Sequence, residues 1–214
     1  MELVVVQRPK VILFRRGYDI VKRLLDVLLC LVALPFALPF MGICAVLIWM
    51  HDGWPVLYAS KRTGRGGHRF EFYKFRTMVT NAAELKQKYM HRNELTWPDF
   101  KITNDPRITP IGRFLRKTSL DELPQIFNVL KGDMSLVGPR PTSWGLSDHA
   151  LWHTERLEVL PGITGLWQVS GRSDVDFEGR MRLDIEYIER RSLWLDLTIL
   201  AKTFSAVVSR RGAY

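Results

Sequence analysis

Charge is absent from Val27 to Met50, and nearly every residue in that run is apolar. As straight helix the run is about 36 Å long, enough to cross the hydrocarbon of a bilayer. Pro35 and Pro39 stand near its middle, where each removes a backbone donor and clashes with the carbonyl four residues back. Both flanks are basic, with Lys22 and Arg23 before and Lys61, Arg62 and Arg65 after. Under the positive-inside tendency both ends prefer the cytoplasm, so the pattern predicts a helix-break-helix hairpin that dips into one leaflet and returns. A simple transmembrane span is the alternative.

Past this run the period changes. Pro55 to Ser60 and Arg69 to Met78 alternate as two strands around the glycine-rich turn KRTGRGGH. Asn81 to Asn93 reads as a polar helix, and Glu94 to Asp105, with Trp97 and Pro98, as an irregular loop. Leu123, Ile126, Phe127 and Leu130 recur at three- and four-residue steps, predicting an amphipathic helix that ends at Gly132. Phe177, Met181, Ile185 and Ile188 form one stripe, and Trp194, Leu197, Leu200, Phe204 and Val208 another, on a last helix from Ser192 to Arg210. That last stripe suits either the membrane interface or a core.

The predicted fold class is therefore α+β and mainly helical. An N-terminal arm at 1–21, with a short apolar run and then Arg8, Lys10, Arg15 and Arg16, precedes a membrane hairpin at 22–54. A small cytosolic domain at 55–214 carries a short β hairpin and amphipathic interface helices. Lys and Arg number 31 against 22 Asp and Glu, a net charge of +9. Such an excess suits a polyanion, whether nucleic acid, an anionic membrane surface or a phosphorylated substrate. Cys30 and Cys44 both fall inside the apolar run, with no disulfide framework or zinc spacing.

The chemistry concentrates in RKTSLDELPQIFNVLKGDMSLVGPRP, Arg116 to Pro141. Asp121 and Glu122 are adjacent acids, with Arg116 and Lys117 before and Lys131 and Arg140 after. Either Ser119 caps the helix in a box with Glu122, or Asp121 caps it and Pro124 occupies the first turn. In both alignments the carboxylates sit at a positive helix end that lowers their pKa values. An ionised Asp among cations can attack phosphorus, and an ionised Glu can hold a divalent ion. A plain cap explains SLDE alone, but neither the second acid nor GPRP, whose Pro139 and Pro141 stiffen the backbone around Arg140 as a phosphate donor. Arg172, in a second glycine-rich stretch, is a further phosphate donor, whereas His149 and His153 lack the partners of a metal site.

This segment, with KFRTM at Lys74 to Met78 and PGITGLWQVSGR at Pro161 to Arg172, resembles the bacterial sugar transferases, the monotopic polyprenyl-phosphate phosphoglycosyl transferases. The resemblance runs from about Lys22 to the C-terminus. It implies a re-entrant membrane helix broken at Pro39, thirteen residues after Asp26, although Leu38 stands where members often carry Ser. It implies Asp121 as the nucleophile that forms a phosphosugar-aspartyl intermediate, and Glu122 as holder of Mg²⁺. Arg116, Arg140 and Arg76 become phosphate clamps alongside Arg172, and Lys74, Pro139, Pro141, Gln168 and Asp184 substrate-pocket residues. For Asp184 a helix-surface salt bridge is the competing reading.

The function so implied is transfer of a sugar-1-phosphate, of hexose type, from a UDP-sugar to polyprenyl (undecaprenyl) phosphate, releasing UMP, at the cytoplasmic face of the bacterial inner membrane. Phospholipid and a homodimer are then the expected partners, and nucleic acid is not. A basic membrane-anchored binding protein without catalysis is the other class, but it needs neither the acid pair nor GPRP. A conventional glycosyltransferase ranks lower, for want of a D-x-D metal motif in a suitable setting.

Overall fold

The computed structural model describes residues 16–95, 100–143, 151–171 and 175–208. The arm before Arg16, Trp97, Pro98, His149, Arg172, Arg210 and Arg211 lie outside them. The first element, α1, runs from Arg16 to Asp52. Strands β1 (Leu57–Thr63) and β2 (Arg69–Phe75) form an antiparallel hairpin, with Leu57 opposite Phe75 and Thr63 opposite Arg69. Helix α2 (Ala82–Lys88) follows, then α3 (Pro110–Thr118), a 3₁₀ turn (Leu120–Glu122) and α4 (Gln125–Lys131). Strand β3 (Ser135–Val137) pairs in parallel with β4 (Gly162–Thr164), and a 3₁₀ segment, Leu151–Glu158, lies between them. Helices α5 (Leu166–Ser170), α6 (Phe177–Arg190) and α7 (Leu193–Val208) complete the described chain.

Helix α1 passes through Pro35 and Pro39 as a single element of 37 residues. The two missing donors do not interrupt the helical run. Packing gives the reason. Asp26, Cys30, Ala37, Cys44 and Ile48 are buried at steps of four and seven, so one stripe faces the protein along both halves. Cys30 and Ala37 join a core with Phe72, Ile126, Val129 and Met134, while Cys44 and Ile48 join one with Val56, Phe75 and Leu115. The opposite face leaves Leu24, Leu28, Val32, Phe36, Phe40, Ile43 and Trp49 more than half exposed, an apolar surface of the kind that marks an interaction site.

Polar contacts secure the start of this helix. Asp26 accepts from the Ser135 hydroxyl (2.7 Å) and the Leu136 amide (3.2 Å), which ties α1 to β3. Arg23 donates to the Val129 and Leu130 carbonyls at 2.6 and 3.0 Å, occupying acceptors that the end of α4 leaves free. Tyr18, Lys22 and Tyr187 converge on Asp196 of α7 at 2.8, 3.1 and 2.7 Å. Along α7 itself Ile199 is buried, whereas Trp194 and Phe204 are 79% and 73% exposed. Of the apolar stripe read from the sequence, Trp194, Leu197 and Phe204 are exposed, whereas Leu200 packs against the core beside Ile199.

Two expectations hold closely. The hairpin forms where alternation places it, and α4 ends at Gly132, which takes a left-handed φ of 95°. The start of α4 is different. Ser119 is left-handed at φ 58° and closes α3, its side chain caps nothing, and neither acid is an N-cap. Both predicted capping alignments are thus corrected, because the 3₁₀ turn separates the acid pair from α4.

Gly112 in α3 explains how close that turn sits to the hairpin. A Cβ there would lie 2.1 Å from the Thr77 carbonyl oxygen, so α3 packs directly on the backbone that follows β2. Gly112→Ala must push helix and strand apart, and backbone atoms cannot rotate away. The expected cost is about 3 kcal/mol, at the upper end of overpacking penalties, read as a lowered melting temperature of the detergent-solubilised chain. An unchanged melting temperature would contradict this packing.

Candidate active site

Each acid owes its position to a different neighbour. Asn128 of α4 is fully buried and joins the strand edge of β2, donating to Glu71 O (2.6 Å) and accepting from Tyr73 N (3.1 Å). This fixes α4 on β2, the strand that carries Lys74, with the 3₁₀ turn just before the helix. The Lys74 ammonium is 2.9 Å from Glu122 and 3.6 Å from Asp121. From the other side comes Arg140, whose guanidinium grips both Glu122 oxygens and donates to Ile163 O at 3.3 Å.

The two carboxyls are therefore unequal. Burial alone would raise the pKa of Glu122, but Arg140 and Lys74 override it and hold the group well below the usual carboxylate range. Asp121 is 5% exposed, and among the described residues its carboxylate makes no hydrogen bond, with Lys74 as its only ion pair. Burial therefore wins and its pKa is raised, with the Lys74 charge opposing and the Glu122 charge reinforcing the shift. The expectation that both values fall is corrected for Asp121, since no helix end or cap reaches it.

A cleft of about 700 Å³ opens over this pair. Its walls include Arg62, Lys74, Arg76, Lys86, Arg107 and Arg116 among the cations, and Pro55, Leu57, Tyr58, Met78 and Val79 on the apolar side. Arg116 is steered by Thr77, whose hydroxyl accepts from its Nε at 2.9 Å. Arg76 donates from Nη2 to the Asp52 and Gly53 carbonyls at 2.6 and 2.9 Å, so it caps the end of α1. Its Nε and Nη1 are buried without partners among the described residues. Arg107 is held by Asp105 in a two-point pair.

Of the residues singled out from the sequence, Lys74, Arg76, Arg116, Asp121 and Glu122 share the cleft, and Arg140 reaches it through Glu122. Pro139 and Pro141 are buried on either side of Arg140. Gln168 stands behind them, donating to the same Ile163 carbonyl (3.3 Å) that Arg140 uses. Asp184 is farther back and fully buried, paired with Arg156 at 2.7 Å, and burial pushes its carboxyl up to about 6 while Arg156 pulls the other way. It is not a surface salt bridge. Arg156 also donates to the Arg140 carbonyl (2.5 Å), so the buried pair braces the GPRP backbone. Sequence reasoning missed Arg156, which no motif marks, and read Arg62 only as a basic flank.

For a divalent cation the donor set is two adjacent carboxylates, with no cluster of three or more acidic, His or Cys ligands among the described residues. Mg²⁺ is commonly held by one or two carboxylates together with substrate phosphates. Asp121, bare of hydrogen bonds, and Glu122, which shares its oxygens with Lys74 and Arg140, fit that mode.

The family model for bacterial sugar transferases matches residues 17–210. A protein of Salmonella typhimurium named undecaprenyl-phosphate galactose phosphotransferase is 45% identical over 213 residues, covering 94% of this chain and 43% of its own length. The exopolysaccharide production protein ExoY of Rhizobium meliloti is 41% identical over 200 residues, covering 90% of this chain and 88% of its own. A UDP-glucose:undecaprenyl-phosphate glucose-1-phosphate transferase of Xanthomonas campestris is 40% identical over 210 residues, covering 94% and 41%. The chain spans less than half the length of the Salmonella and Xanthomonas proteins. Since the family match takes in α1, the hairpin, both acids and α6, and the similarity to ExoY extends over most of both chains, this protein belongs to the bacterial sugar transferase family.

Proposed function

We propose that this protein is a membrane-associated phosphoglycosyl transferase that moves a hexose-1-phosphate from a UDP-sugar to undecaprenyl phosphate, in exopolysaccharide or glycoconjugate synthesis. The observation that carries the reading is Asp121, a buried carboxylate without a hydrogen bond, set in a cleft walled by cations. A doubly anionic diphosphate and a lipid phosphate both match that wall. The names of the Salmonella and Xanthomonas relatives, which pair undecaprenyl phosphate with galactose and glucose, support the same chemistry.

In this reading an Asp121 oxygen attacks the β-phosphorus of the donor, the bond from that phosphorus to the bridging oxygen breaks, and UMP leaves with the electron pair. The lipid phosphate oxygen then attacks the same phosphorus and Asp121 departs as carboxylate, so no other reactant is consumed. Weak hydrogen bonding suits a nucleophile, since little solvation must be stripped before attack. Arg116, poised by Thr77, and Arg140, braced by Arg156, supply cations whose positions are set before charge develops. Mg²⁺ held at Glu122 would add charge neutralisation on the donor diphosphate. The exposed apolar faces of α1 and α7 support association with lipid, and the basic flanks support the cytoplasmic side.

The reaction class is tested by incubating purified protein in nanodiscs with undecaprenyl phosphate, Mg²⁺ and a panel of UDP-sugars, and identifying the released nucleotide. UMP release over many turnovers is expected only with the lipid acceptor present. Release of UDP would mean ordinary glycosyl transfer and would remove Asp121 from the nucleophile's role.

Asp121→Asn separates chemistry from folding. Because the folded pKa of Asp121 lies above its unfolded value, folding favours the protonated form, and ionisation costs stability as pH rises through that range. The substitution is expected to lower kcat by about 10⁴-fold or more, on the scale of other lost nucleophiles, while the melting temperature at pH 7 stays the same or rises. Loss of activity accompanied by a lower melting temperature would point to a structural carboxylate instead.

A further inference from the structure

Residues 58, 60 and 62 of β1 and 70, 72 and 74 of β2 lie on one face of the hairpin, since Arg62 pairs with Phe70, Ser60 with Phe72 and Tyr58 with Lys74. That face is a wall of the cleft. Phe72 is buried at its middle and carries two cations, the Arg62 guanidinium 5.4 Å and the Lys74 ammonium 5.6 Å from its ring centre. At the far end of β1, Thr63 N donates to Thr142 O at 2.9 Å, which stitches the strand to the loop just beyond Arg140. Arg62 is thereby drawn near enough to feel the Arg140 charge, and Arg140 meets the cleft through Glu122.

The charges do not balance there. Lys74 and Arg140 both engage Glu122, whereas among the described residues no carboxylate lies within ion-pair distance of Arg62. The Nε of Arg62 is buried and has no hydrogen-bond partner. Burial first, and the Arg140 charge second, hold its pKa below the usual guanidinium range. A partly buried cation beside a like charge, with a donor left over, is costly unless an anion arrives to meet it. A guanidinium fork matches the oxygens of phosphate.

We propose that Arg62 is a phosphate-binding residue, and that with Arg140 it forms a second phosphate seat in the cleft, next to the one at which Asp121 acts. This deepens the proposed function and rests on it for the identity of the ligand. Two sources offer the same chemistry: the nucleotide-side phosphate of the donor, and the phosphate of the lipid acceptor. A residue that merely packed on Phe72 would need neither the free Nε nor the missing acid.

Arg62→Met keeps an unbranched stem on Phe72 and removes the charge and donors, and Arg62→Lys keeps the charge without the fork. The full chain in nanodiscs is melted with and without inorganic pyrophosphate, and KM is measured separately for UDP-sugar and for undecaprenyl phosphate. Expected for Arg62→Met is an apo melting temperature equal to or above the parent, loss of the pyrophosphate-induced rise, and a KM raised about tenfold, with Arg62→Lys intermediate. A KM effect confined to UDP-sugar assigns the seat to the donor, and one confined to the lipid assigns it to the acceptor. A lower apo melting temperature with the pyrophosphate response intact overturns the proposal, as does a parent chain that pyrophosphate does not stabilise. Pyrophosphate binding needs no turnover, so a chain that binds it through Arg62 yet transfers no sugar would refute the proposed function while leaving the seat in place.

Discussion

The carboxylate of Glu122, held between Lys74 and Arg140, is the interaction on which the rest of the site depends. It joins three segments distant in sequence: strand β2, the 3₁₀ turn after α3, and the loop after β3. It also divides labour within an adjacent acid pair. Glu122 takes up the strong cations and stays ionised, while Asp121, deprived of donors and buried, remains available. Two neighbouring carboxylates in identical surroundings would share their cations and neither would be free. The ion pair costs desolvation, and what it returns is position rather than net stability.

Behind that joint the structure adds bracing. Asn128 fixes α4 to the edge of β2, and Arg156, neutralised by Asp184, supports the backbone carbonyl of Arg140. Gly112 brings α3 onto the backbone at Thr77, from which Arg116 takes its orientation. Each of these contacts holds a charged group whose flexible stem would otherwise lose much entropy on binding a substrate.

The apolar helix is part of the same construction. Its buried stripe supplies residues to both cores under the cleft, its start is tied by Asp26, Arg23 and Asp196, and its end is capped by Arg76, itself a wall of the cleft. A side chain shared by the end of the apolar helix and the cleft sets the cleft at a definite distance from the exposed apolar face of that helix. For a reaction between a soluble donor and a lipid-anchored acceptor, that distance decides whether both phosphates reach the same atoms.

Much of this was legible in the chain alone, wherever the signal is local. An uncharged run of bilayer length, alternation on both sides of a glycine-rich turn, a three-four stripe ending at Gly132, and acids and arginines clustered in three motifs all act through near neighbours in sequence. What tertiary structure decided is non-local. The parallel pairing of β3 and β4, two strands of three residues each, brings Ile163 to Arg140, and no period of two can be read from so short a strand. Ser119 adopts a left-handed conformation that closes α3 instead of capping α4, and the 3₁₀ turn that follows packs on β2. Pro35 and Pro39 stay within one helix because a packed stripe holds both halves. Arg62, an ordinary basic flank in sequence, becomes a cleft residue only when β1 and β2 pair and set it on the same face as Lys74. Sequence by itself determined which chemical groups were present and which local elements carried them. Burial and charge pairing, which set the unequal states of Asp121 and Glu122, depend on atoms brought together from opposite ends of the fold, and only the folded chain decides them.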